Sequence, residues 1–176
     1  MSLGAAFEAA MGLSTPHKFY GKYRGTVINN EDPLQIGRIM ALVPDVSTVM
    51  PTSWAMPCLP GLGIQYGVCV IPPLAAGVWI EFEQGDPDYP IWTGGFWGSA
   101  AEVPALTRAR LPVSPGIVMQ TVAQNTIAIT DVPPQILIKV GGSTIMVRAD
   151  GISVIAPSIT LNGALVVNNG ALAVSL

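Results

Sequence analysis

Charge is what this sequence has least of. Only 11% of its residues are Asp, Glu, Lys or Arg, where a soluble domain ordinarily carries about 25%, and half of the chain is hydrophobic. That balance argues against an ordinary water-soluble monomer. Long hydrophobic runs are missing as well. Glycine and proline, 19 and 16 in 176 residues, cut every apolar stretch short of the roughly 20 residues that a membrane-spanning helix needs. They favour turn-rich β structure instead, and so much apolar surface is then best accommodated under other subunits. With a net charge of −3, there is no basic field to attract nucleic acid. Cysteine occurs only as Cys58 and Cys69, which make neither a disulfide scaffold nor a zinc cluster. Both lie in apolar stretches, so buried free thiols are expected; a disulfide between neighbouring strands would be unusual for cytoplasmic folding. The single histidine, His17, has no evident serine or cysteine partner. No basic region followed by an apolar core and a cleavage site opens the chain, so no signal peptide is expected.

What is present falls into four segments. Residues 1–19 are an N-terminal segment in which Met1 to Leu13 reads as a short amphipathic helix, with Leu3, Phe7 and Met11 on one face. Residues 20–98 alternate as short strands: Tyr23–Ile28, Ile36–Val43, Trp54–Leu59, Tyr66–Ile71, Gly77–Glu83 and Ile91–Trp97. In the fifth, Val78, Ile80 and Phe82 point inward against Trp79, Glu81 and Glu83. Five to six strands of this length suit a closed Greek-key barrel. Residues 99–115 hold Pro104, Pro112 and Pro115 without periodicity and read as an extended linker.

From residue 116 onward strands resume at Ile117–Thr121 and Asn125–Asp131, and then one unit repeats to Leu176. Apolar alternation at Ile136–Val140, Thr144–Arg148, Ile152–Ile155, Ser158–Asn162 and, more weakly, Ala164–Asn168 is punctuated by Gly141-Gly142, Asp150-Gly151, Asn162-Gly163 and Asn169-Gly170. Such pairs favour tight reversals between strands. One narrow meander has exposed edges and too little core to stand alone, so several identical chains are expected to assemble through it.

Three stretches carry a resemblance to a known family. They are Tyr23-Arg24-Gly25-Thr26-Val27 through Asp32-Pro33 to Gly37-Arg38-Ile39; Trp54-Ala55-Met56-Pro57-Cys58; and Gly77–Phe82 followed by Gly85-Asp86-Pro87-Asp88-Tyr89-Pro90-Ile91 and Gly94-Gly95. The chain resembles the short spike proteins of contractile phage tails, baseplate assembly protein V, which are related to the T4 cell-puncturing spike and to VgrG spikes. Ile159-Thr160-Leu161-Asn162-Gly163 is also similar to the VgrG stalk repeat. The resemblance implies an all-β fold, an OB-fold barrel followed by an intertwined trimeric β-helix or β-prism stalk. It further implies a homotrimer at the virion's tail baseplate centre, on a hub protein, assembled in the host cytoplasm and touching the target membrane only transiently. Within such a stalk, Ile136, Ile138, Val140, Ile145, Val147, Ile152, Val154, Ile159 and Leu161 are the candidates for the trimer axis. A slip of one residue would turn that whole set outward. The face of Leu3, Phe7 and Met11 lacks basic residues and is expected to dock on the hub rather than on a membrane.

The chain also departs from the family that it resembles. The stretch between barrel and stalk is too short for the lysozyme domain of the T4 spike, and no His-x-His iron motif closes the chain. Its apolar ending, with Val174 and Leu176, is expected instead to meet a separate, PAAR-like tip protein. No cofactor, metal or catalytic residue is expected. Glu81, Glu83, Asp86 and Asp88 invite a cell-wall hydrolase reading, which needs two flanking carboxyls, one with a raised pKa. Their spacing instead suits a solvated strand and a turn. A single-stranded nucleic-acid module is the other alternative, since Tyr20, Tyr23, Trp54, Trp79, Trp92 and Trp97 supply rings, but the basic groove such modules use is absent.

Overall fold

The computed structural model describes residues 17–109 and 116–163. The chain divides into two compact units between Glu102 and Val103. The expected N-terminal helix lies outside the described residues.

In the first unit, Gly77 to Phe82 form strand β4 because every second side chain has a core to enter: Val78, Ile80 and Phe82 are buried while Trp79 and Glu81 are half-buried. β4 lies between β1 (Tyr23–Asn29) and β5 (Pro90–Phe96), antiparallel to both. β2 (Met40–Leu42) joins β1, and β3 (Met56–Pro57) runs parallel to β5, giving the order β2-β1-β4-β5-β3. The sheet curls until its edges touch. Ala55 N–H donates to the Ile39 carbonyl at 2.7 Å, and Ile39 N–H to that of Ala55 at 3.2 Å. Val27, Ile39, Ala41, Val43, Ala55, Val78, Ile80, Phe82 and Trp92 fill the interior, where the Trp92 indole N–H donates to the Gly37 carbonyl. The curl is tight: a Cβ on Gly25 would lie 3.0 Å from Ile80 Cγ1. Phe19 covers one end, its ring against Tyr23 and Phe82 and its N–H on the Gly85 carbonyl.

Three expectations for this unit change. Tyr66–Ile71 is not a strand. β1 and β4 already have partners on both sides, Gly67, with φ 155°, lies within the run, and Pro72-Pro73 ends it. Ile36–Val43 is paired only from Ile39, because Asp32 gathers the preceding residues into a turn, accepting from the N–H groups of Leu34, Ile36 and Arg38. Cys58 and Cys69 are exposed free thiols rather than buried ones, since the Cys69 segment never enters the sheet.

In the second unit, the linker holds one helical turn, α1 (Ala105–Arg108), begun after Pro104. Beyond it β6 (Gly116–Gln120), β7 (Thr126–Asp131), β8 (Pro134–Val140), β9 (Ser143–Arg148) and β10 (Gly151–Ile155) form an antiparallel meander in chain order. Gly141 and Gly151 take positive φ at the turns, as the glycine pairs foretell. Ser158–Asn162 has the expected alternation but no strand pairing among the described residues. Ala156-Pro157 precedes it, and proline offers no N–H to a ladder. Ala164–Asn168 lies outside the described residues.

Candidate functional site

Antiparallel register decides which side chains of the meander share a face. Ile117 stands opposite Ile129, Ile129 opposite Ile136, Ile136 opposite Val147 and Val147 opposite Ile152. Two residues along, Met119, Ile127, Ile138, Ile145 and Val154 are matched in the same way. The result is two parallel rows of five β-branched or long apolar side chains on one face. All ten are exposed, from 37% at Val147 to 71% at Ile152. The opposite face carries its own matched apolar row, Val118, Ala128, Leu137 and Met146, of which Ala128 is buried and the others half-buried; Thr126 and Thr130 are buried beside it, and Lys139 and Arg148 are exposed.

The apolar stripe has defined margins. Beyond one row Asp131 faces Pro134, and beyond the other Val140 faces Ser143. The stripe is therefore two residues wide along a strand, about 7 Å, and five strands long, about 19 Å. Its long direction runs across the strands.

Six of the nine residues expected at a trimer axis, Ile136, Ile138, Ile145, Val147, Ile152 and Val154, lie in these rows. Val140 sits on the margin opposite Ser143. Ile159 and Leu161 are exposed and belong to no sheet among the described residues. Sequence reasoning missed Ile117, Met119, Ile127 and Ile129. Their alternation is visible, but the glycine-punctuated repeat starts only at Gln135, after Pro133-Pro134. Leu3, Phe7 and Met11, and Val174 and Leu176, lie outside the described residues.

The barrel offers no comparable chemical centre. Glu81 is ion-paired to Lys22, and Asp86 to Lys18 at 3.2 Å. The backbone N–H of Asp88 and then the Lys18 ammonium hold the Asp86 carboxyl below its ordinary value, the opposite of what a general acid requires. The pocket beside it, lined by Lys18, Glu83, Gln84, Asp86 and Tyr89, is open and about 180 Å³. All four basic side chains of the barrel are engaged. Besides Lys18 and Lys22, Arg38 pairs with Asp32 and Arg24 lies over the rings of Trp79 and Phe96. They form no continuous track for a phosphate backbone. His17 packs edge-on against Phe19. Among the described residues no three His, Cys, Asp or Glu side chains converge as a metal-ligand set.

An OB barrel followed by a self-associating sheet is the class of protein that these units define. Residues 23–97 match the type VI secretion system/phage-baseplate injector OB domain, and residues 116–173 match the phage baseplate V C-terminal trimerisation domain. The chain belongs to this phage baseplate V family, whose members are structural parts of baseplates and related injectors. No curated protein matches the chain.

Proposed function

We propose that the chain is the central spike of a contractile tail baseplate, a homotrimer that plugs the tail tube and pierces the target envelope when the sheath contracts. The observation that carries this reading is the pair of apolar rows within a trimerisation domain. In the trimer the three stripes face one another along the threefold axis. A stripe that lines an axis must run along it, and this one runs across the strands. The strands therefore cross the needle axis, and each adds about 4.8 Å to its length. Burying the exposed half of each side chain contributes about 1 kcal/mol, at most on the order of 10 kcal/mol per chain. On the opposite faces Lys139 and Arg148 stay in water beside the side chains that each unit already buries.

Leu3, Phe7 and Met11 dock the spike on its hub, Val174 and Leu176 meet a PAAR-like tip protein, and Ile159 and Leu161 continue the axis beyond the sheet. The chain performs no catalysis in this role. Glu81 and Asp86 are held in ion pairs, Asp86 also within a turn, and a muralytic assay on the pure protein is expected to read blank. The decisive experiment is light scattering on the full chain: a stable trimer is expected, and a monodisperse monomer overturns the proposal.

A further inference from the structure

The barrel carries a second apolar surface, separate from the stripe. From Cys58 to Gly77 no residue is charged. Within this stretch Gly63 and Tyr66 exchange backbone hydrogen bonds at 2.8 and 3.2 Å, and the Tyr66 ring lies over Gly61 and Gly63. The resulting hairpin holds Ile64 at its tip, 99% exposed. Turn tips ordinarily carry Gly, Asn, Asp or Pro, each for a backbone reason; isoleucine has none. The same unit contains an open groove of about 700 Å³, lined mainly by apolar residues, Leu59, Val70, Leu74, Trp92, Phe96 and Trp97 among them, with Glu102 as its one charged residue. Since Ile64 is wholly exposed, the hairpin does not fill the groove of its own barrel.

A projection and a recess of matching character at different places on one molecule make head-to-tail contacts, which close into a ring when a threefold axis fixes the copies. The trimerisation domain supplies that axis and holds the barrels at an effective concentration on the order of millimolar. We infer that the Ile64 hairpin of each barrel inserts into the Leu59–Trp92–Trp97 groove of the next copy, so that three barrels form a closed ring. This contact rests on the trimer proposed above.

Cross-linking tests it on the full chain. Cys58→Ser and Cys69→Ser remove the exposed native thiols, and Ile64→Cys is combined with Leu74→Cys, 60% exposed on the groove wall. With a short bis-maleimide the pair is expected to give covalent trimers on a denaturing gel, and either single cysteine only monomers. Dimers from Ile64→Cys alone would mean that the hairpins meet each other, and would overturn the ring. Monomers from the pair, in a sample that scatters as a trimer, would overturn it too and assign the groove to a different protein. A sample that scatters as a monomer would remove the trimer itself, a failure distinguishable from that of the hairpin contact.

Discussion

In β4 of the barrel, Val78, Ile80 and Phe82 alternate with outward residues and are 0%, 0% and 7% exposed. In β8 of the stalk, Ile136 and Ile138 alternate in the same way yet remain 43% and 40% exposed. Equal patterning thus leads to opposite outcomes, and the difference lies in what surrounds the strands. The barrel sheet places Gly25 and Ala41 on its inner face, which lets it curl until Ile39 and Ala55 join its edges. The stalk sheet crowds Ile, Val and Met into both rows of its apolar face. It stays open, and the complement to that face has to come from other copies. Alternation identifies a buried face; side-chain size and edge pairing decide whether the chain can bury it alone.

The largest effect is expected where that contrast is broken in the stalk. Ile138→Asp puts three unpaired carboxylates at the centre of the stripes, each at a desolvation cost of several kcal/mol. The trimer is expected to fall to monomers by light scattering, while Lys139→Ala on the opposite face leaves it intact. Next comes the barrel core. Ile80→Ala should cost about 2–5 kcal/mol, seen as a lower denaturant midpoint of the barrel transition with the oligomeric state unchanged. Filling the tight point works in the other sense: Gly25→Ala overpacks against Ile80 and should cost about 1–3 kcal/mol by the same measurement.

A smaller, pH-dependent effect is expected at Asp32. The Arg38 guanidinium, foremost, and the N–H groups of Leu34, Ile36 and Arg38 hold its carboxyl far below the ordinary value near 3.8, although burial works against them. A depressed carboxyl stabilises the fold above its ordinary value, and that contribution fades as pH falls toward the folded value. The barrel's Tm should therefore drop as pH is lowered below about 4. Asp32→Asn should melt lower at pH 7 and show a flatter acid slope. A slope unchanged by that substitution would assign the acid sensitivity to other groups.

Much of this arrangement is legible in the sequence. The Gly77–Phe82 strand, the Asp32-Pro33 turn and the glycine-punctuated strands from Gln135 to Ile155 stand where their patterns put them, because there local periodicity and tertiary pairing agree. Tyr66–Ile71 misleads because alternation does not reveal whether a sheet edge is free. β1 and β4 are already paired on both sides, so an apolar run with strand periodicity remains on the surface. Cys58 and Cys69 mislead for a related reason, since apolar neighbours in sequence do not reveal whether a thiol faces the core. The four missed stripe residues reflect another limit. Pro133-Pro134 looks like a boundary, yet β7 and β8 pair directly across it, Asp131 opposite Pro134.

Every ladder from Gly116 to Ile155 closes within one chain. A chain can pair these five strands before it collides with another copy, leaving to that collision the plate's apolar rows and the outer edges of β6 and β10. Until that collision each plate presents an open apolar face, and the time spent waiting for a partner is also the time at risk of aggregation. Subunit concentration during synthesis would then govern the yield of correctly assembled oligomers.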